Sequence, residues 1–308
     1  MTELTITTQL PTSDVLTVIE RANLAATTKR AYAGEMRRYL DAGGDPFDAQ
    51  GLAAYAQGLS ESGKARLKCA VRLYSNAALD QLKGQADPSN VAFVAAAAYR
   101  TESLQNAVKA SKSSGQATHI WLSQTQVKAL LDTCAGDGLK AERDRLALGL
   151  LVAAGLRRSE ACDLEFTDVK LQPSGERMRT VLAICGKGGK HRTVPISDNL
   201  ANAIDRWGKH VGHAGKVLRS INQRGDELGE SLSTVGLFDL VRVKGALIGK
   251  PDLACHDLRR TFAQLGFDAG VPVTQISKLL GHTNLATTQR YLNLDLDLET
   301  TASDFIPF

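Results

Sequence analysis

A chain of 308 residues, 43% apolar and 23% charged, has an ordinary globular composition and the length of two domains, which excludes a disordered, collagen-like or coiled-coil protein. Its longest apolar stretches, Val91–Tyr99 and Leu146–Leu156, fall well short of the ~18 residues of a membrane span. The N-terminus has no basic-then-apolar leader, and the five cysteines, at 69, 134, 162, 185 and 255, form no C-x-x-C, so a cytoplasmic protein without a membrane partner, disulfide framework or zinc knuckle is expected. The net charge of +4, from 37 Lys and Arg against 33 Asp and Glu, is on its own a weak pointer to nucleic acid.

Residues 1–13 are polar and β-branched and read as a flexible arm. Residues 14–112 follow a helical, alanine-rich pattern, with breaks at Gly43–Pro46, Gly63 and Asp87–Ser89; roughly four helices are expected. Residues 113–119 are small and polar, a linker. Ser123 and Gln126 then form a capping-box start and open a mixed domain over 120–291. Within it, a buried helix ends at Gly155 and another begins. Thr180–Cys185 and Arg192–Ile196 read as strands joined by the glycine-rich loop Gly186–Lys190, a hairpin. The chain is then helical to Tyr291, with interruptions at Gly245–Asp252, Gly270–Pro272 and Gly281-His282. Residues 292–308 form an acidic tail ending in Phe305-Ile-Pro-Phe308. The fold class expected is mostly α with a small β-hairpin or sheet (α+β): an all-helical N-terminal domain followed by a mixed one.

The common cofactor signatures are missing. Gly245-Ala-Leu-Ile-Gly249-Lys250 has the wrong spacing for a phosphate-binding loop, and the loop at 186–190 lies between strands rather than before a helix. His210-x-x-His213 lacks a third ligand and reads as a surface pair. Neither a metal nor a nucleotide cofactor is expected. What remains is a set of basic and hydrogen-bonding side chains in defined local settings. Arg157 stands at a helix start, where backbone N–H groups already favour anions. Lys187 lies between two glycines, His256 and Arg259 share a helix face, and Tyr291 follows His282 by nine residues. Guanidinium forks pair with phosphate oxygens, whereas a metal-dependent nuclease would need clustered carboxylates. The set therefore suits a phosphodiester, with charge stabilised by Arg and Lys. The nucleophile is either a side chain or an unactivated water; a tyrosine phenol serves if a neighbouring base or cationic field helps remove its proton.

These residues stand within Ala154-Gly-Leu-Arg-Arg-Ser-Glu160, Gly186-Lys-Gly188, His256-Asp-Leu-Arg-Arg-Thr-Phe262, Leu279-Leu-Gly-His-Thr283 and Thr287-Thr-Gln-Arg-Tyr291. In that order and spacing they resemble the tyrosine recombinase (phage integrase) family, simple two-domain type, over residues 120–291. Thr27-Thr-Lys-Arg-Ala-Tyr32 more loosely resembles the first helix of that family's core-binding domain. The resemblance implies site-specific cleavage and rejoining of DNA through a 3′-phosphotyrosyl link. Tyr291 would attack, Arg157 and Arg259 would hold the non-bridging oxygens, and Lys187 would protonate the departing 5′-oxygen, with Lys190 on the same tip as the alternative. His256 would assist with the tyrosine's proton, His282 would donate to the phosphate, and Glu160 would orient its neighbours. Arg260 stands where members often carry histidine; it and Arg158 are read as structural or phosphate contacts.

The resemblance further implies a 14–112 clamp on double-stranded DNA, a homo-tetramer on two DNA sites and a nucleoid-associated location, with room for an accessory DNA-bending protein. Type IB topoisomerase-like relaxation and a catalytically silent DNA-binding protein stay open as alternatives. Residues 177–194 hold Arg177, Arg179, Lys187, Lys190 and Arg192 and no acidic residue, and Lys64, Lys68 and Arg72 recur on one helix face near Arg66; these are expected on the DNA backbone. Without residues 292–308 the chain carries +8, 37 basic against 29 acidic residues. The tail is thus expected to meet protein, docking in cis or, as favoured here, on a neighbouring protomer.

Overall fold

A computed structural model describes residues 14–84, 91–111, 120–186, 189–222, 224, 228–282, 284–289 and 292. The chain divides into two compact units, residues 1–115 and 116–308.

The described part of the first unit is helical: α1 (Asp14–Arg21), α2 (Ala26–Asp41), α3 (Ala49–Gln57), α4 (Glu61–Gly84) and α5 (Val91–Ala107). Ile19, Met36, Leu52, Leu67 and Val71 are fully buried in its core. The turn after α2 is pinned by aromatic hydroxyls: Tyr39 donates to the Asp45 carbonyl at 2.9 Å and Tyr74 to that of Pro46. A Cβ at Gly44 would lie 2.3 Å from the Tyr39 ring, so a side chain there would displace it. Gly63 does not break the helix as expected. Its N–H donates to Ser60 Oγ at 3.2 Å, so it occupies the first turn of α4 under a serine cap.

The second unit holds α6 (Gln124–Asp132), α7 (Leu139–Val152), α8 (Arg158–Asp163), β1 (Val169–Ser174), β2 (Arg177–Cys185), β3 (His191–Pro195), α9 (Asp198–Val211), α10 (Thr234–Leu247), α11 (Cys255–Asp268), α12 (Val273–Leu280) and α13 (Leu285–Gln289). The capping box forms as read: Ser123 Oγ accepts the Gln126 N–H, and Gln126 Oε1 accepts the Ser123 N–H. From Leu146 to Val152 every residue of α7 is buried, so this helix runs through the core. The strands form an antiparallel sheet in the order β1-β2-β3, with Thr180 opposite Leu171 and Ile184 opposite Arg192. Strand β1 was not expected, because all its residues after Val169 are exposed and no apolar alternation marks it. Its Pro173 sits on an edge strand, where a missing N–H is tolerated. The fold is thus mostly helical with a small sheet, as the sequence suggests. Among the described residues no helix is long and apolar enough to cross a membrane.

Candidate active site

Gly155 ends the α7 turn in the left-handed region at φ +61°, and a Cβ there would stand 2.5 Å from the Phe262 ring on α11. Only glycine lets the backbone pass this close. Its carbonyl accepts from Arg259 Nη1 at 2.6 Å, so the same turn that launches Arg157 also receives the second arginine.

Arg157 is the N-cap of α8. Its backbone N–H donates to Glu160 Oε2 at 2.7 Å and its Nη1 to Oε1 at 2.7 Å. Glu160 is itself buried and receives both Nη atoms of Arg192, at 2.8 and 2.7 Å. Arg259 Nη1 stands 3.7 Å from Glu160 Oε2. Burial alone would raise the Glu160 carboxyl, but the hydrogen bonds from Arg192 and from the Arg157 N–H outweigh it and hold it at about 2.

Three guanidinium charges thus surround one carboxylate, an excess that burial would penalise without further acceptors. The end of α12 supplies them. Arg192 Nε donates to the Leu279 carbonyl at 2.8 Å, and Arg259 Nη2 donates to that of Leu280. The negative end of a helix dipole favours both cations. Gly281 turns the chain out of α12 at φ +63°, where a Cβ would meet Arg192 Cδ at 2.8 Å.

His282 follows directly. Its Nδ1 lies 2.9 Å from Thr288 Oγ1 and its Nε2 3.5 Å from Arg259 Nη2. Burial, then the charges of Arg259 and Arg157, push its pKa down to about 4. His256 opens the first turn of α11, and desolvation together with Arg260 and Arg259 lowers its pKa as well. Both rings are therefore neutral at pH 7. Arg157, Arg192, His282, Gly186, Lys190 and Lys278 line an open cleft of about 520 Å³, which has no acidic residue among the described residues of its lining.

The structure brings together Arg157, Glu160, Arg259, His256 and His282, with Lys190 at the cleft; Lys187 and Tyr291 lie outside the described residues. Arg192, expected on DNA, has a side chain only 9% exposed, with its guanidinium turned onto Glu160. The signal was present, since period-2 alternation puts Arg192 on the face of Val194 and Ile196, both buried. Arg177 and Arg179 are exposed on β2. In the first unit Arg72 is exposed, Lys64 pairs with Glu61 at 2.7 Å, and Lys68 is half-buried on the same helix. Arg260 pairs with Asp257 at 3.0 Å, and Arg158 stacks over Phe238. Thr288, fully buried, was quoted in the sequence motif but assigned no role. Among the described residues no group of three or more His, Cys, Asp or Glu could hold a metal ion.

Known proteins share this arrangement of sequence and fold. The sequence pattern of the phage integrase family matches residues 120–297. A tyrosine recombinase XerC of Mycobacterium sp. (strain KMS) is 33% identical over 184 residues, covering 56% of this chain and 58% of that protein; the chain thus matches little more than half the length of that relative. A tyrosine recombinase XerA of Thermococcus kodakarensis is 31% identical over 273 residues, 88% of this chain and 86% of the relative. In fold, the chain is similar to a lambda integrase dimer bound to a COC′ core site, with a TM-score of 0.61 at 16% identity over 91% of this chain and 93% of that one. Matched across its second unit by the family pattern and along most of its length by a XerA relative, the chain belongs to the phage integrase family of tyrosine recombinases.

Proposed function

We propose that this chain is a site-specific recombinase that cuts and rejoins duplex DNA through a 3′-phosphotyrosyl intermediate. The observation that carries the reading is the cluster of Arg157, Arg192 and Arg259 around the single Glu160 carboxylate, which leaves positive charge directed at an open cleft. Such preorganised donors favour a phosphate whose oxygens gain charge in the transition state. Names and bound ligands of relatives point the same way: the XerC and XerA proteins are tyrosine recombinases, and the lambda integrase dimer is bound to a core site.

In the proposed reaction Tyr291 Oη attacks the scissile phosphorus as the bond from phosphorus to the 5′-oxygen breaks. The phenolic proton passes to His256, neutral at pH 7 and so able to accept it. Lys187, or Lys190 on the same tip, gives a proton to the departing 5′-oxygen. Arg157 and Arg259 hold the non-bridging oxygens, and His282 donates a hydrogen bond to one of them. Rejoining reverses each step with the 5′-hydroxyl of a partner strand. The phosphate bond passes from one ester to another, so the reaction consumes no nucleotide.

Residues 14–112 serve as the DNA clamp, 113–119 as linker and 120–291 as the catalytic domain. Lys64, Lys68, Arg72, Arg177 and Arg179 track backbone phosphates; Arg192 leaves that set because it faces Glu160. The active assembly is a homo-tetramer on two sites, with residues 292–308 docked on a neighbouring protomer and an accessory DNA-bending protein accommodated. The place of action is the nucleoid, in the cytoplasm.

The test is incubation with nicked duplexes drawn from the DNA flanking the gene, with Tyr291→Phe as control. A covalent complex and strand exchange between two sites are expected. A complex with supercoil relaxation and no exchange would favour a topoisomerase-like activity, and binding without any complex would favour a silent DNA-binding protein.

A further inference from the structure

His282 has two ring nitrogens in two different settings. Nδ1 is 2.9 Å from Thr288 Oγ1, while Nε2 lies 3.5 Å from Arg259 Nη2, and His282 lines the cleft. The ring is held neutral, since burial and the charges of Arg259, Arg157 and Arg192, with His256 adding to them, oppose a proton. A neutral imidazole has one N–H and one lone pair, so each setting can be served by only one tautomer at a time. Facing the Arg259 donor, Nε2 is best as the lone pair, which puts the proton on Nδ1. Facing a phosphate oxygen, Nε2 must carry the proton, and Nδ1 becomes the lone pair.

We propose that Thr288 is a positioning residue that lets His282 exchange tautomers in place, accepting from Nδ1–H in the free cleft and donating to Nδ1 once a phosphate occupies it. A hydroxyl is the group suited to both duties, because it rotates about a single bond while its oxygen stays put. Thr288 is fully buried on α13, so its oxygen is fixed by packing. The exchange conserves charge: Nε2 takes a proton from water and Nδ1 returns one. It costs no movement of heavy atoms, so phosphate can be met by a proton shift alone. This inference deepens the proposed reading of the cleft as a phosphodiester site and rests on it.

The experiment uses the full chain with ¹⁵N-labelled histidine, and long-range ¹H–¹⁵N spectra recorded with and without inorganic phosphate; His282→Gln identifies the His282 signals. The expected result is an Nδ1–H tautomer in the free protein and an Nε2–H tautomer with phosphate. Thr288→Val should abolish this exchange and slow single-turnover cleavage about ten- to hundredfold, the loss of one hydrogen bond to a charged group, while Thr288→Ser restores both. The same tautomer with and without phosphate would overturn the proposal, as would wild-type exchange and cleavage in Thr288→Val. Should the valine variant fail to fold, the wild-type phosphate titration alone decides. Exchange in a chain that cleaves no DNA would refute the recombinase reading and leave this one standing.

Discussion

Arg192 grips both oxygens of Glu160, at 2.8 and 2.7 Å, from the core-facing side of β3. Its Nε reaches the end of α12 at the Leu279 carbonyl. One side chain thus ties sheet, carboxylate and the loop that carries His282 together, and Arg157 and Arg259 are placed around the same carboxylate.

Removing that side chain should therefore damage the fold as well as the chemistry. Arg192→Ala leaves the buried Glu160 short of its bidentate partner, and a loss of about 3 kcal/mol in urea denaturation is expected. Arg177→Ala and Arg179→Ala, both at exposed positions, should change stability by less than about 0.5 kcal/mol. Equal stability of all three variants would contradict the structural role given to Arg192.

The Glu160 carboxyl is held at about 2, below the usual value of 4.5. Because the unfolded chain binds this proton first, the stabilisation is full above about pH 4.5 and is lost as pH falls through 2, amounting to a few kcal/mol. His282, held at about 4 against 6.5, acts in the same direction in a higher window: the unfolded chain takes up a proton below about pH 6.5 that the folded ring refuses down to 4. Stability should thus fall in two stages on acidification. Thermal melts of His282→Gln should shrink the stage below pH 6.5, to which His256, lowered as well, still contributes, and keep the lower one.

Gly155 faces both strain and a collision, since its φ is +61° and a Cβ would stand 2.5 Å from Phe262. Gly212 at φ +84° has open space around it. Gly155→Ala should cost about 3 kcal/mol, left-handed strain plus overpacking, and Gly212→Ala about 1 kcal/mol from strain alone. Chemical denaturation of the pair separates the two terms; equal losses would show that the Phe262 contact relaxes freely.

Much of the site was legible because its residues sit in local motifs. Arg157, Glu160, His256, Arg259 and His282 each stand at a helix start or turn whose glycine or cap is visible in the sequence. Arg192 was misread because its charge was counted without its strand face: alternation with Val194 and Ile196 already turned it inward. Thr288 carried no signal, since a hydroxyl acquires a role only when the fold brings a ring nitrogen to it. Strand β1 escaped because an edge strand exposed on both faces has no apolar period, and Gly63 was read as a break because glycine disfavours helix interiors, whereas a serine cap holds it in a first turn.

The most direct test of the recombinase reading is where DNA becomes attached. Protein trapped on a nicked cognate duplex, digested and sequenced by mass spectrometry, should yield a peptide carrying the 3′-phosphate of the cleaved strand on Tyr291. That adduct should vanish in Tyr291→Phe and fall at least about a hundredfold in Arg259→Ala, which removes the proposed donor to the phosphate. Attachment through a 5′-phosphate, attachment to another residue, or cleavage that survives in Tyr291→Phe would contradict it.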